Sequence, residues 1–246
     1  MTPFRALKQD LEIMLMPPAW PLEAPGIPPN VAAMGGMETV SPLLALLPRG
    51  GLVKWRAVLV LGRVVAELAA KETEKARTVM RRMMWHLNED SGNMGWGIAE
   101  AMGETLAQSP SLAGEYGKVA LSYVRDTGFA DNFIDHAALR RGSYWAIGRF
   151  APLYPAYRDE GGELLTDGLG DEDAQCRGIS AWGLEKLVGA GWKPGPGERE
   201  VLEKALRLVR GDQVLCEVLE DAYLCVEPAA NFARQALKRL TGSRSV

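Results

Sequence analysis

The stretch that decides the fold runs from Trp85 to Gly103 and reads Trp-His-Leu-Asn-Glu-Asp-Ser-Gly-Asn-Met-Gly-Trp-Gly-Ile-Ala-Glu-Ala-Met-Gly. Its first part is polar and rich in glycine, which is typical of a surface loop between two helices. Its last part, from Trp96 onward, places a small residue and then a large apolar residue directly before Gly103. The same order recurs elsewhere in the chain, and this recurrence predicts the architecture.

Four glycines share this local pattern, and they lie 41, 45 and 35 residues apart. A glycine in a helix interior costs about 1 kcal/mol relative to alanine. Four such glycines in one phase therefore indicate positions where a neighbouring backbone comes close. Periods of about 35–45 residues built from paired helices are the signature of a solenoid. The four positions are Gly62, Gly103, Gly148 and Gly183.

These units resemble the HEAT-like repeat in the form found in phycobilisome-lyase-type proteins, whose inner helix carries an arginine, a spaced alanine and a final Ala-Leu-Gly. The segments Arg56–Gly62 and Arg177–Gly183 come closest, and Trp96–Gly103 and Arg141–Gly148 are looser matches. The resemblance covers about residues 40–241 and implies an armadillo-like fold. It predicts an all-α, right-handed α-solenoid of about five HEAT-like helical hairpins.

Helical periodicity and capping signals support this architecture along the chain. The clearest amphipathic helix covers residues 71–87, with apolar side chains on one face and charged side chains on the other. No run alternates polar and apolar residues between hairpin signals, so no strand is expected. The other helices are predicted near residues 3–16, 41–48, 52–69, 96–108, 112–125, 130–150, 159–169, 171–190, 198–210, 212–226 and 228–240.

Residues 1–39 are expected to form an N-terminal helix and a proline-rich arm, followed by a single repeat domain over residues 40–246. Residues 17–30 contain six prolines, which excludes a continuous helix and favours extended segments and turns. The arm could drape over the core with Trp20 as its anchor, or it could be mobile. Draping fits better, because Trp20 and Leu22 would otherwise be exposed without cause.

The composition is that of an ordinary globular protein, with 47% apolar and 24% charged residues among 246. The net charge of −3 provides no basic field to attract nucleic acid, which argues against a nucleic-acid partner. No apolar run approaches the ~20 residues that span a bilayer, so no membrane segment is expected. The three cysteines form no CxxC pair. A cytoplasmic protein without metal or cofactor is predicted.

The loop over residues 88–97 is the main functional candidate, because HEAT-like repeats usually have a tight turn at this point. An Asp-Ser-Gly-Asn sequence within it resembles a calcium loop, but the acid spacing and the distal glutamate of an EF-hand are missing. A structural alternative is that the polar residues cap helix ends while the glycines adopt positive φ. The residues predicted to contact a partner protein are Asn88, Glu89, Asp90, Asn93 and Trp96.

The equivalent region of the next repeat would lie on the same edge of a solenoid, and it adds Asp131, His136, Arg140 and Arg141 as secondary contacts. His86 and His136 are the only histidines of the sequence. Two histidines with a nearby aspartate could bind a metal or serve acid–base chemistry. They lack the close spacing of metal ligands, so capping or packing is the simpler interpretation.

A further alternative involves Trp96, Asp131, Arg141 and Trp145. A HEAT-like fold also occurs in alkylpurine DNA glycosylases, which use tryptophans, an arginine and an aspartate in a concave basic groove, and these four residues could imitate that set. The acidic net charge argues against it. Packing of Trp145 in the core, with the arginines paired to nearby acids, is the simpler interpretation.

These features predict a non-catalytic scaffold or adaptor that binds another protein through loops at one edge of the solenoid and through its concave face. The alternative is an enzyme or cofactor handler on the same fold, either bilin-lyase-like or DNA-glycosylase-like. A deep pocket with carboxylates converging around His136 would favour an enzyme. A shallow apolar patch rimmed by charge would favour a protein partner.

Overall fold

The computed structural model describes residues 3–23, 26–88, 95–129, 132–195, 197–220 and 223–242. This part of the chain contains twelve α-helices and one β-hairpin, so the predicted all-α class is confirmed. The chain divides into two compact units. The first comprises residues 1–116 and 219–225, and the second comprises residues 117–218 and 226–246.

The first unit contains three helices before residue 47 and three after residue 50. A 3-10 turn at Leu47–Arg49 separates the two sets. A seventh helix, α7 (Pro110–Ser122), contains the boundary between the units. The six helices before it are α1 (Pro3–Met14), α2 (Pro29–Ala32), α3 (Met37–Leu44), α4 (Gly51–Lys71), α5 (Thr73–Leu87) and α6 (Ile98–Gln108).

The second unit contains five complete helices in its described part, with 3-10 turns at Ala151–Leu153 and Gly168–Gly170. Three of them, the first, third and fifth, carry the most extensive contacts, and the third packs against both others. The five helices are α8 (Ala137–Phe150), α9 (Pro155–Asp167), α10 (Ala174–Gly189), α11 (Glu198–Val209) and α12 (Ala229–Thr241).

Three of the four recurring glycines, Gly62, Gly148 and Gly183, lie where inner helices touch, as the sequence predicts. In the first unit α4 packs against α6, and a Cβ atom on Gly62 would lie 2.5 Å from Cγ of Glu104 and 3.1 Å from its carbonyl carbon. In the second unit α8 packs against α10, and a Cβ atom on Gly148 would lie 2.7 Å from Cα of Gly183. Larger side chains at these positions would push the helices apart.

The proline-rich arm drapes over the first unit, and Trp20 is its anchor. The Trp20 side chain is 1% exposed, whereas Leu22 is 54% exposed. Arg56 of α4 holds the arm in place through its guanidinium group. Its Nη1 atom donates hydrogen bonds to the carbonyls of Leu15 and Trp20, both at 2.8 Å, and its Nη2 atom donates to the carbonyl of Pro21 at 3.1 Å. Burial lowers the pKa of Arg56.

The predicted helix over residues 212–226 is wrong, and so is the expectation that the chain has no strand. Strands β1 (Leu215–Glu220) and β2 (Tyr223–Pro228) form a two-stranded hairpin. Leu215 is exposed, Cys216 and Val218 are buried, and Glu217 between them is partly exposed. This alternation is the pattern of a strand with one covered face, and it ends at Leu219, which is also buried.

Several helix boundaries also differ from the prediction. The helix expected over 41–48 covers Met37–Leu44, with Pro42 in its interior and Gly36 at its N-cap. The helix expected from residue 130 begins at Ala137, because His136 has an extended backbone with φ −73° and ψ 105°. The helix expected over 159–169 begins earlier, at Pro155, since proline suits the first turn of a helix. No helix among the described residues is long and apolar enough to cross a bilayer.

Candidate functional site

The α5–α6 connection contains the residues that the sequence analysis ranked first. Glu89, Asp90 and Asn93 lie outside the described residues. Asn88 is exposed and caps the end of α5, where its backbone N–H donates to two carbonyls of the last turn. Gly97 precedes α6 with a positive φ of 74°, a backbone conformation that favours glycine. The ends of the connection therefore have the capping geometry of the structural alternative.

A pocket with a volume of about 280 Å³ opens beside this connection, within the first unit. It brings together Trp96, which the sequence analysis selected, and His86, one of the two histidines. Arg82 and Phe4, which it did not select, complete the charged and aromatic part of the wall. The rest of the lining consists of small and apolar side chains, from Ser41, Leu44, Ala45, Pro48 and Ile98.

Arg82 and His86 lie on one face of α5 because they are four positions apart in a helix. The Nη1 atom of Arg82 donates a hydrogen bond to Oγ of Ser41 at 2.7 Å, which ties α5 to α3 at the edge of the pocket. Trp85 precedes His86, and their rings meet edge to face with centroids 5.1 Å apart. Trp85 is 55% exposed. An exposed tryptophan thus lies beside a pocket that offers a fixed cation.

Arg82 has a signal in the sequence, its four-residue spacing from His86, although it is not among the predicted site residues. The sequence contains no signal for Phe4 or Ser41. These residues reach the pocket from α1 and α3, and only the tertiary packing of the first unit brings them there.

In the second unit, His136 is exposed and Arg140 is buried. The Nε and Nη2 atoms of Arg140 donate to the two carboxylate oxygens of Asp171 at 2.7 and 2.9 Å. Its Nη1 atom donates to the carbonyls of Ile134 and Asp135 at 2.8 and 2.7 Å. The hydrogen bonds to Asp171 raise the pKa of Arg140. Arg140 therefore satisfies buried acceptors of its own unit.

Arg141 is held in the same way by Asp173. Its Nε atom donates to Oδ1 of Asp173 at 2.8 Å, and that oxygen also accepts the N–H of Cys176 at 2.8 Å as the N-cap of α10. Burial alone would raise the pKa of Asp173. The hydrogen bonds from Arg141 and Cys176 outweigh this effect and hold the pKa at about 2.

A third pair repeats the arrangement on α10, two helices later. The Nε and Nη2 atoms of Arg177 donate to the two carboxylate oxygens of Asp212 at 2.8 and 3.1 Å. Its Nη1 atom donates to the carbonyls of Asp171 and Glu172 at 2.7 and 3.0 Å. We call the three pairs the arginine–aspartate ladder: Arg140 with Asp171, Arg141 with Asp173, and Arg177 with Asp212.

The residues proposed for catalysis or metal binding do not form such a site in the described part of the chain. No group of three or more His, Cys, Asp or Glu side chains there could hold a metal ion. Trp145 is 1% exposed and stacks on Trp182, with ring centroids 6.0 Å apart and planes at 4°. Trp145 is therefore buried and Arg141 is engaged with Asp173, so neither side chain is available to stack on a base. Asp131, the aspartate of the glycosylase-like set, lies outside the described residues.

Comparison with known proteins gives structural matches alone. No family model matches the chain, and no curated protein does. The chain is similar to the designed armadillo repeat protein YIII(Dq)4CqI, with a TM-score of 0.48, 15% identity, and coverage of 98% of this chain and 95% of that one. It is also similar to the designed armadillo repeat protein YIII(Dq.V1)4CPAF in complex with peptide (KR)4. That match has a TM-score of 0.46, 16% identity, and coverage of 95% of this chain and 99% of that one.

Proposed function

We propose that this protein is a non-catalytic scaffold that binds another protein, and that the α5–α6 connection with its adjoining pocket is the principal contact surface. The observation that carries the proposal is the position of Trp85, which is 55% exposed and whose ring contacts that of His86 in the lining of the pocket. Tryptophan and arginine are the residues most enriched among the energetic anchors of protein interfaces.

The lining of the pocket indicates what it would accept. Leu44, Pro48 and Ile98 provide apolar surface, and Arg82 provides a fixed positive charge. An aliphatic or aromatic side chain of the partner would fill the pocket, and a neighbouring carboxylate of the partner would pair with Arg82. The acidic and amide residues of the loop, Glu89, Asp90 and Asn93, are proposed as additional contacts.

His136 and Asp131 are proposed as secondary contacts in the second unit, since His136 is exposed. Arg140 would contribute indirectly, by fixing the backbone before α8, and Arg141 by holding Asp173 at the start of α10. We further assign the repeats to the phycobilisome-lyase-type HEAT class. Support comes from α4 and α10, the helices whose sequences match its motif most closely and whose glycines lie at close helix contacts.

We also propose a cytoplasmic location. Cys176, Cys216 and Cys225 form no disulfide, and reduced cysteines are the usual state of proteins in a reducing compartment.

Site-directed photocrosslinking in the native host tests the contact surface. A benzoylphenylalanine placed at Trp85 should yield a discrete covalent adduct with one protein, identifiable by mass spectrometry. The matched control carries the same group at Thr78, an exposed position on the same helix. Equal adducts from both positions, or none from Trp85, would contradict the proposed surface.

A second experiment tests the loop itself. The double variant Asn88→Ala and Asp90→Ala should retain the helical circular dichroism spectrum and melting temperature of the parent protein while the yield of the Trp85 adduct falls. If the variant unfolds, these residues act as helix caps and the proposed role of the loop is lost.

A further inference from the structure

A second pocket, with a volume of about 260 Å³, lies entirely within the second unit, between the end of α9 and the start of α11. We call it the Trp192 pocket. One part of its lining is apolar and another is acidic. The apolar residues include Trp192, Pro194 and Val201, and the acidic residues are Glu163, Asp167 and Glu198.

The Trp192 side chain is held rigidly in this pocket. Gly191 lies just beyond the end of α10 and has a φ of 95°. The N–H of Trp192 donates to the carbonyl of Leu187 at 3.0 Å, which is the hydrogen bond that defines a Schellman motif at a helix C-terminus. On α9, Gly162 leaves room for the indole ring, because a Cβ atom there would lie 2.3 Å from Cε2 of Trp192. The ring is 6% exposed and forms a fixed wall of the pocket.

Two of the three carboxylates that line the pocket have no ion-pair or hydrogen-bond partner among the described residues. Glu163 and Asp167 are four residues apart on α9, so two negative charges share one helix face. Both are exposed, and neither makes an ion pair or side-chain hydrogen bond with any residue that the structure describes. Glu160, also on α9, is paired with Arg125. Glu163 and Asp167 therefore lack a paired cation, whereas Glu160 on the same helix has one.

Glu198 faces this pair from the start of α11. Its Oε2 atom accepts the N–H of Gly195 at 2.7 Å, which fixes the orientation of the carboxylate. The pocket thus combines a rigid aromatic wall with carboxylates from two helices. A flexible cation with an apolar stem would match both features.

We propose that the Trp192 pocket binds an arginine side chain presented by a segment of a partner protein. The methylene groups of arginine would pack on the apolar lining. The planar guanidinium group carries five donors, can contact more than one carboxylate, and stacks on aromatic rings more readily than an ammonium group does. Opposite charge selects this occupant over an acidic or purely apolar segment.

The surface next to the pocket suits the residues that flank such an arginine. Val201 is 62% exposed and belongs to the lining, and Leu208 is 74% exposed seven residues later on α11. Residues seven apart share one face of a helix, so an apolar stripe continues from the pocket along α11. This site is in the second unit and does not depend on the function proposed for the first.

The capped tripeptide acetyl-Leu-Arg-Leu-amide is the probe, and its citrulline analogue is the control, because citrulline replaces the charged group with a neutral one of similar shape. Binding is followed by NMR of the full chain labelled with 15N in the tryptophan indoles, with Trp192 assigned from Trp192→Phe. We expect the arginine peptide to shift the Trp192 signal saturably and increasing salt to weaken the effect. Equal shifts from the citrulline peptide, or no shift with either peptide, would overturn the proposal.

Variants locate the charge requirement. The isosteric double variant Glu163→Gln and Asp167→Asn should bind the arginine peptide about tenfold more weakly. Glu172→Gln removes an exposed carboxylate of the same unit outside the pocket and should leave the affinity unchanged. Val201→Lys introduces a cation at an exposed lining position and should abolish binding of the arginine peptide. Val201→Gln, which adds no charge at the same position, should not abolish it. Undiminished binding by both charge-changing variants would refute the assignment.

Discussion

Gly148 of α8 and Gly183 of α10 face each other so closely that a Cβ atom on Gly148 would lie 2.7 Å from the Cα atom of Gly183 and 2.6 Å from Cζ3 of Trp182. No real Cβ atom tolerates such contacts without movement of the backbone. The two helices can approach to this distance only because both positions lack a side chain. This contact is where the repeat pattern of the sequence becomes a packing interaction.

We expect Gly148→Val to lower the free energy of unfolding by about 3 kcal/mol, because the added methyl groups must separate two packed helices. Urea denaturation followed by circular dichroism measures the effect. The matched control is Gly114→Ala in α7, where no atom lies within 4 Å of the added Cβ. That change should stabilise the protein by about 0.5–1 kcal/mol. Equal stability of Gly148→Val and the parent protein would contradict the close packing.

Replacing the anchor of the proline-rich arm should be at least as costly. Trp20→Ala removes a side chain that is 1% exposed. The Cζ atom of Arg56 lies over the Trp20 ring, 4.8 Å from the ring centroid. We expect a loss of about 3–5 kcal/mol in the free energy of unfolding. Leu22→Ala, at an exposed position of the same arm, should have little effect. Similar midpoints for the two variants would indicate that the arm does not pack as described.

The pair of Arg140 and Asp171 should show strong energetic coupling. Their side chains are 9% and 5% exposed, so removing either partner leaves a polar group without compensation. We expect Arg140→Met alone to cost about 3–5 kcal/mol. Adding Asp171→Asn should recover part of this loss, but not all, because the carbonyls of Ile134 and Asp135 also lose their donor. Strictly additive losses in a double-mutant cycle would contradict this coupling.

The pKa of Asp173 predicts how stability responds to acid. Because the pKa is about 2 in the folded protein and 3.8 in the free side chain, the unfolded state binds more protons in this range. The contribution of Asp173 to stability is complete above about pH 4 and is lost as the pH falls toward 2. Asp173→Asn should reduce the acid dependence of the urea midpoint. An unchanged slope between pH 4 and pH 2 would exclude this contribution.

The three thiols should differ in reactivity. Burial raises the pKa of Cys216 to about 12 and raises that of Cys176 even further above its usual value. Both side chains are buried, whereas Cys225 is partly exposed. Brief treatment of the native protein with iodoacetamide near neutral pH should therefore modify Cys225 first. Peptide mapping by mass spectrometry would reveal the order, and early modification of Cys176 would be inconsistent with its burial.

The sequence was informative where the signal is local. Glycine after a small and a large residue predicted the contacts of Gly62 and Gly148, because a helix interior tolerates glycine poorly without a packing reason. The sequence was misleading over residues 215–228. Leu, Glu and Cys are compatible with a helix, and the pairing of two strands depends on partners that local periodicity does not reveal.

The same distinction between local and long-range signals applies to the candidate sites. Asn88 and Trp96 could be predicted as site residues because they belong to one distinctive loop. Phe4 lines the same pocket as Trp96 but lies far from it in the sequence, in α1. Arg140 and Arg141 were selected as contacts for a partner. Their aspartates lie 31 and 32 residues away in the chain, so only the fold reveals that each arginine already has an internal acceptor.

Arg177 forms hydrogen bonds with residues that precede and follow its own helix in the chain. It donates to the carbonyls of Asp171 and Glu172 before the helix and to the carboxylate of Asp212 after it. Asp212 lies beyond Val209, where α11 ends, so the interactions of Arg177 extend past the last residue of that helix. A fragment that ended at Val209 would leave the Nε and Nη2 atoms of Arg177 without their carboxylate acceptor, and it would also lose α12, which packs against α10.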